Sequence, residues 1–131
     1  MLTVDRNWRL IEGIAVPFGV VAHPRMRLPL RFPQGSLAAA PIVKLLIEHD
    51  HSLAVGRAVF LEDTAQGVKA MLKAANGERG DRALELAATT HSHFSIGLNE
   101  QTARFRIVDG VDECVFGQII EVSLTRNPVF S

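Results

Sequence analysis

Several residue types that would signal particular functions are scarce in this chain. It has no tyrosine, one tryptophan (Trp8) and one cysteine (Cys114). So few aromatic residues do not favour a stacking platform for single-stranded nucleic acid. A single cysteine cannot form an internal disulfide, which suits a reducing cytoplasm, and we expect Cys114 to be a small, buried, apolar side chain.

Net charge and long hydrophobic runs are also absent. The 14 basic and 14 acidic residues balance, and no basic run indicates a phosphate-binding stripe, so nucleic acid is not a predicted partner. The longest apolar stretches, such as 42–47, are too short to cross a membrane, and the N-terminus lacks the apolar core of a signal peptide. We therefore expect a soluble intracellular protein. Its 131 residues predict one domain, 1–131.

Alternating apolar and polar residues predict mostly strands. The predicted strands are 8–16, 43–47, a hairpin of 54–62 and 67–73, a strand from 89 onward, 102–108 and 115–124. A helical turn is predicted at 36–41 and a short helix at 81–88, capped by Asp81. This pattern predicts a mainly β, α+β fold: a single small β-barrel of about six to seven mostly antiparallel strands with one or two short helices, or a sandwich of such strands.

The stretch 91–98 combines hydroxyl and imidazole groups. As a strand it would turn His91, His93, Ser95 and Gly97 to one face. Ser95 is a candidate nucleophile, since the neighbouring Gly97 would let a substrate backbone approach. The alternative is a serine that merely occupies the polar face of a half-buried strand.

A serine nucleophile needs a base and a group that orients the base. The predicted strand 43–47 delivers His49 to a strand end, from which it could reach across the sheet to Ser95. In the last strand Glu121 and Ser123 share a face, and Glu121 could orient the base. Alternatively, Glu121 faces solvent or pairs with an arginine such as Arg57.

Four motifs occur in an order that resembles the prohead proteases of tailed phages, a family distantly related to the herpesvirus assemblins. They are LLIEHD (45–50), VGR (55–57), FSIGL (94–98) and IEVSL (120–124) followed by Pro128. The segment EGIAVPFG (12–19) also resembles the start of that family, so the resemblance covers most of the chain.

The resemblance implies a serine peptidase, without a cofactor, that cleaves phage scaffold protein and the extra segment of the major capsid protein. It implies Ser95 as nucleophile and His49 as general base. The third member would be Glu121, or His93, because assemblins use a second histidine. The implied location is the immature head in the cytoplasm of the bacterial host, and relatives self-associate, so a homo-oligomer is expected.

The chain departs from the family pattern at two places. Paired histidines before the serine are unusual, and relatives often continue beyond the position of Ser131 into a region used for scaffolding or head targeting. Arg126 could support an oxyanion site, as arginines do in assemblins, or could be a solvated loop residue. If His49 is the base, activity should fall below its pKa.

Two other functions compete with the peptidase hypothesis. His49, His51, His91 and His93 form two same-face pairs if both segments are extended, which is a spacing that metal sites in β-barrels use. The chain would then be a histidine-rich metal-binding barrel. The second alternative is a head-assembly module that keeps the protease fold without its activity.

Overall fold

A computed structural model describes residues 2–129; Met1, Phe130 and Ser131, and with them the ends of the predicted domain, lie outside the described residues. The elements, in chain order, are β1 (Thr3–Asp5), β2 (Leu10–Pro17), β3 (Val21–Ala22), β4 (Leu30–Arg31), β5 (Leu37–Ile47), β6 (Gly56–Asp63), β7 (Gly67–Ala74), α1 (Glu78–Ala88), β8 (His93–Leu98), β9 (Arg104–Val108) and β10 (Val111–Thr125).

All ten strands belong to one curled sheet. Eight of them follow the order β1-β2-β7-β6-β5-β10-β4-β3, while β8 and β9 pair with β10. Parallel ladders join β10 to β4 and to β5, and the other described ladders are antiparallel. The mainly β class with a short helix is confirmed, as is the predicted hairpin, which the structure forms from β6 and β7.

The predicted strand number and barrel closure are wrong. The sheet has ten strands and forms an open half-barrel. Strands of two or three residues, such as β3 and β4, are too short to show periodicity in a sequence. The sheet curls until β8 lies beside β2, but among residues 2–129 no ladder joins these two strands, so the barrel stays open there.

The helical turn predicted at 36–41 is also wrong, because Leu37–Ile47 is one continuous strand. Pro41 lacks an N–H group and would break a regular ladder. The ladder with β10 tolerates it because the pairing runs from Leu37 to Ala39 and resumes at Lys44, so Pro41 falls in the interruption.

The helix begins earlier than predicted. α1 starts at Glu78, with Gly77 at its N-cap in a left-handed conformation (φ 89°) and without a side-chain capping bond. The predicted cap, Asp81, instead lies in the first turn and forms an ion pair with Arg9 at 2.7 Å. The helix buries Ala83, Leu84 and Ala87 against the sheet. No helix in residues 2–129 is long and apolar enough to cross a membrane.

The core is one cluster of buried apolar side chains from the strands of the curled sheet and from α1. Its fully buried side chains include Ile11 of β2, Leu45 of β5, Leu72 of β7 and Leu124 of β10. The prediction for Cys114 is confirmed, since it is 2% exposed, and burial raises the pKa of its thiol. Because β10 is covered on both faces from Glu121 to Thr125, any polar side chain in that segment needs a partner inside the protein.

Candidate active site

Three neighbouring strands bring the candidate residues together. The second half of β10 lies between β8, which is antiparallel to it, and β5, which is parallel to it. On the β8 side, Ser95 stands opposite Ser123 and Gly97 stands opposite Glu121. On the β5 side, the ladder ends with Ile47 opposite Leu124. The chain beyond Ile47 therefore leaves the sheet at the level of Ser95 and Ser123.

His49 is turned back toward β10 by an unusual backbone conformation. Glu48 and His49 both have positive φ angles, 49° and 58°, which are uncommon for residues other than glycine. Three hydrogen bonds hold this turn: Glu48 N–H donates to Leu124 O, Asp50 N–H donates to Ile47 O, and His49 N–H donates to Ser123 Oγ at 3.0 Å. Strain of this kind persists only where surrounding contacts maintain it.

The imidazole of His49 connects the serine to the carboxylate. Its Nε2 lies 3.1 Å from Ser95 Oγ, and its Nδ1 lies 2.9 Å from Glu121 Oε1 and 3.2 Å from Oε2. An ionised carboxylate can only accept hydrogen bonds, so Nδ1 carries the hydrogen and Nε2 is left free to accept the serine proton. Ser95, His49 and Glu121 therefore have the connectivity of a nucleophile, a base and an orienting acid.

The solvent exposure of the side chains falls from His49 to Glu121. The His49 side chain is 46% exposed, whereas that of Glu121 is only 2% exposed. Neither solvent exposure of Glu121 nor its pairing with Arg57, the alternatives drawn from the sequence, is found. A buried carboxylate is costly unless it is hydrogen-bonded, and Glu121 is bonded by both His49 and Ser123.

Ser123 is a part of the site to which sequence reasoning assigned no role. Ser123 is fully buried, its hydroxyl donates to Glu121 Oε2 at 3.0 Å, and its own Oγ accepts a hydrogen bond from the His49 N–H at 3.0 Å. One hydroxyl thus joins the backbone of the base to the carboxylate that orients it. The sequence signal was its position two residues after Glu121, which places both side chains on one face of a strand.

Gly97 has a packing role that sequence reasoning did not assign to it. A Cβ atom at this position would lie 2.7 Å from Glu121 Cγ and 2.9 Å from Oε1, which is closer than real Cβ atoms approach. The missing side chain makes room for the Glu121 side chain on the neighbouring strand. Gly97 therefore meets a packing requirement inside the site, and the expectation that it gives a substrate backbone access to Ser95 stays a prediction.

The two carboxylates around His49 affect its titration. The hydrogen bond to Glu121 raises the pKa of His49 above its usual value; partial burial opposes this rise, and the charges of Glu121 and Glu48 add to it. Partial burial raises the pKa of Glu48, but hydrogen bonds from the Arg126 N–H and the Thr125 hydroxyl outweigh it and leave that pKa lowered. Glu48 therefore stays charged at neutral pH.

The other histidines lie apart from this arrangement. His91 precedes β8 instead of belonging to it; it is buried, its Nδ1 lies 2.8 Å from Thr90 Oγ1, and its Nε2 lies 3.9 Å from Glu48 Oε1. His93 lines a cavity of about 340 Å³ between β2 and β8, and its buried Nδ1 has no hydrogen-bond partner in the described chain. His93 therefore does not contact Nδ1 of His49, where Glu121 lies instead.

The four-histidine metal site is not formed. Within residues 2–129, no group of three or more histidine, cysteine, aspartate or glutamate side chains could hold a metal ion. His51 is exposed beyond the end of β5, and His49 is hydrogen-bonded to Glu121. The structure thus separates the two histidine pairs that the sequence suggested could converge.

Arg126 does not contribute its backbone to an oxyanion site. Its N–H donates to Glu48 Oε1 at 2.9 Å, and the residue is exposed, as the loop alternative predicted.

An apolar cleft of about 360 Å³ opens beside the serine. Ser95 and His49 line it, together with the side chains that we call the apolar cleft residues: Leu30, Phe32, Ile96, Leu98, Ala103 and Phe105. A cleft of this size is typical of small-molecule and peptide side-chain sites. The candidate nucleophile and base are therefore next to a volume that a ligand could enter.

Comparison of the chain with protein-family models, curated proteins and solved structures found no match. The resemblance to the prohead proteases therefore remains a prediction that rests on the sequence motifs.

Proposed function

We propose that this chain is a serine endopeptidase with Ser95 as nucleophile, His49 as general base and Glu121 as the residue that orients the base. The observation that carries the proposal is the continuous contact from Ser95 Oγ to His49 Nε2 at 3.1 Å and from His49 Nδ1 to Glu121 Oε1 at 2.9 Å. Both distances lie within hydrogen-bond range, as nucleophile activation requires.

In the proposed reaction, Ser95 Oγ attacks the scissile carbonyl carbon while its proton passes to His49 Nε2. The imidazolium that forms is stabilised by Glu121, which accepts the hydrogen bond from Nδ1–H. His49 then donates the proton to the leaving amine, and an acyl group stays on Ser95. A water molecule, deprotonated by His49, attacks this ester and releases the second product and the free serine.

The proposed biological role is head maturation in a tailed phage. Its support is the order of the motifs LLIEHD, VGR, FSIGL and IEVSL, of which three contain His49, Ser95 and Glu121. The substrates would be the scaffold protein and the major capsid protein precursor, cleaved within the assembling head in the host cytoplasm by a self-associating peptidase.

The nucleophile can be tested without knowledge of the substrate. Diisopropyl fluorophosphate should attach one diisopropylphosphoryl group to the intact chain, with loss of fluoride, and peptide mass spectrometry should place the label on Ser95. Ser95→Ala should abolish labelling, and His49→Ala should slow it by at least about 100-fold, because the general base is lost. Ser92→Ala is the matched control: this serine lies just before β8, outside the contacts of the triad, and its loss should leave labelling unchanged.

The role in head maturation needs a second experiment. The chain should be coproduced with candidate scaffold and capsid precursors, with Ser95→Ala in parallel, and the assembled heads analysed by mass spectrometry. Processing by the wild type only is the expected result. A folded chain that assembles into heads but is neither labelled at Ser95 nor proteolytic would overturn the proposal in favour of the non-catalytic head-assembly module.

A further inference from the structure

The apolar cleft combines buried apolar side chains with two charged residues, Arg27 and Glu100. Phe32 is 3% exposed and Leu30 is 9% exposed, so they form its buried floor. Phe105 packs against Phe32 edge to face, with ring centroids 6.4 Å apart. Leu98 of β8 and Ala103, which precedes β9, complete the walls.

Two charged residues, Arg27 and Glu100, are among those that line the cleft. Arg27 is held by Asp112 at 3.3 Å, and its guanidinium carbon lies 6.0 Å from the centroid of the Phe105 ring. Glu100, the second charged residue that lines the cleft, is exposed. A charged or strongly polar group pushed onto the apolar floor would lose its hydration without gaining a partner, which is unfavourable.

The position of the cleft relates it to the scissile bond. Ser95 and His49 are among its lining residues, and β8 carries both Ser95 and the wall residues Ile96 and Leu98. A peptide whose carbonyl carbon lies at Ser95 Oγ therefore presents the side chain of an adjacent residue to the cleft.

We infer that the apolar cleft is a specificity pocket that accepts a large apolar side chain (leucine, methionine or phenylalanine) from a residue flanking the scissile bond. This inference rests on the proposed peptidase function and adds the class of cleavage site to it. Burial of such a side chain against Leu30, Phe32 and Phe105 favours these substrates over peptides with alanine or a charged residue there by about 10- to 100-fold in kcat/KM.

The test incubates the full chain with a mixture of synthetic peptides that together present many combinations of residues on the two sides of a peptide bond. Mass spectrometry then identifies which bonds are cleaved. Ala103→Trp adds an indole to the cleft wall and should reduce cleavage beside leucine, methionine and phenylalanine by at least about 10-fold, while cleavage beside alanine changes less than about threefold. Phe105→Ala enlarges the cleft and should extend cleavage to bonds beside tryptophan. Arg104→Trp, an exposed change one residue from Ala103, is the matched control and should keep the wild-type profile.

Labelling of Ser95 by diisopropyl fluorophosphate in each variant separates the two proposals. If Ser95 is labelled and peptides are cleaved, but the preference is for charged or small residues or is unchanged in both cleft variants, the specificity inference is wrong and the peptidase proposal stands. If wild-type Ser95 is not labelled and no peptide is cleaved, both proposals are wrong. Thermal unfolding of Ala103→Trp and Phe105→Ala identifies a misfolded variant, and the other variant then decides.

Discussion

Replacement of Ser123 by alanine tests the arrangement beneath the catalytic groups. The change removes the hydroxyl that accepts the His49 N–H at 3.0 Å and donates to Glu121 Oε2 at 3.0 Å. His49 keeps a φ angle of 58° with one fewer contact to hold it, and its N–H loses its partner. We therefore expect Ser123→Ala to lower the stability of the fold and to displace the base, His49.

The loss of stability follows from the two bonds. A neutral hydrogen bond contributes about 0.5 to 1.5 kcal/mol and one to a charged group about 1.5 to 3 kcal/mol, so the loss of both from a fully buried position should cost about 2 to 4.5 kcal/mol. A domain of this size has an unfolding free energy of about 5 to 15 kcal/mol, so most variant molecules should remain folded. Urea unfolding followed by the fluorescence of Trp8 measures the difference.

The loss of activity follows from the displaced base. Misplacement of a catalytic group by about 1 Å can reduce the rate about 100-fold, and we expect labelling of Ser95 by diisopropyl fluorophosphate to be about 10- to 100-fold slower. Ser36→Ala is the control, because Ser36 is also buried and its hydroxyl donates to Pro33 O at 2.7 Å, outside the triad. The free energy of unfolding of Ser36→Ala should be lower than that of the wild type by about 1 kcal/mol, and its labelling rate should equal that of the wild type. Wild-type labelling in Ser123→Ala would refute the positioning role.

Three further predictions concern Gly97 and the titration of His49. Gly97→Ala should slow labelling of Ser95 by about 10- to 100-fold, because its Cβ would displace Glu121; a wild-type rate would show that the carboxylate adjusts without loss. The labelling rate should fall with decreasing pH through a midpoint above about 6.5, since Glu121 raises the pKa of His49. Glu121→Gln should lower that midpoint, and NMR of the His49 imidazole should show the same decrease in its pKa. Because the pKa of His49 is raised in the folded state, folding favours the protonated imidazole, and this stabilisation is present below the unfolded-state pKa and is lost as pH rises through the folded-state pKa. The urea midpoint of the wild type should therefore fall relative to that of His49→Asn between pH 5.5 and 8.5. A difference between the two midpoints that does not change with pH would contradict the prediction.

Local sequence patterns predicted the longer regular elements. Alternation located β2 and the hairpin of β6 and β7. In the hairpin, half-buried and exposed residues alternate along the first part of β6, and buried and half-buried residues alternate along β7. It failed at Leu37–Ile47, where three alanines and Pro41 are typical of a helical turn, and where a gap in the ladder with β10 makes a continuous strand possible. Such a gap is a property of two strands and cannot be read from one.

The candidate site was predictable as a set of residue types and only in part as an arrangement. The motifs named Ser95 and His49 and left Glu121 and His93 as alternatives for the third position. The strand register separates these alternatives, because it places Glu121 opposite Gly97, against the imidazole of His49, and directs His93 to the cavity beside β2.

The sequence by itself determined the mainly β class, the short helix, and the chemical groups available for a site: a hydroxyl, several imidazoles and one carboxylate in an apolar strand. These follow from side-chain periodicity and composition, which are local properties. Only the tertiary structure decided that the sheet stays open, that Ser123 joins Glu121 to the backbone of His49, and that an apolar cleft adjoins Ser95. These features depend on which strands pair and in which register, and residues far apart in the chain set that pairing together.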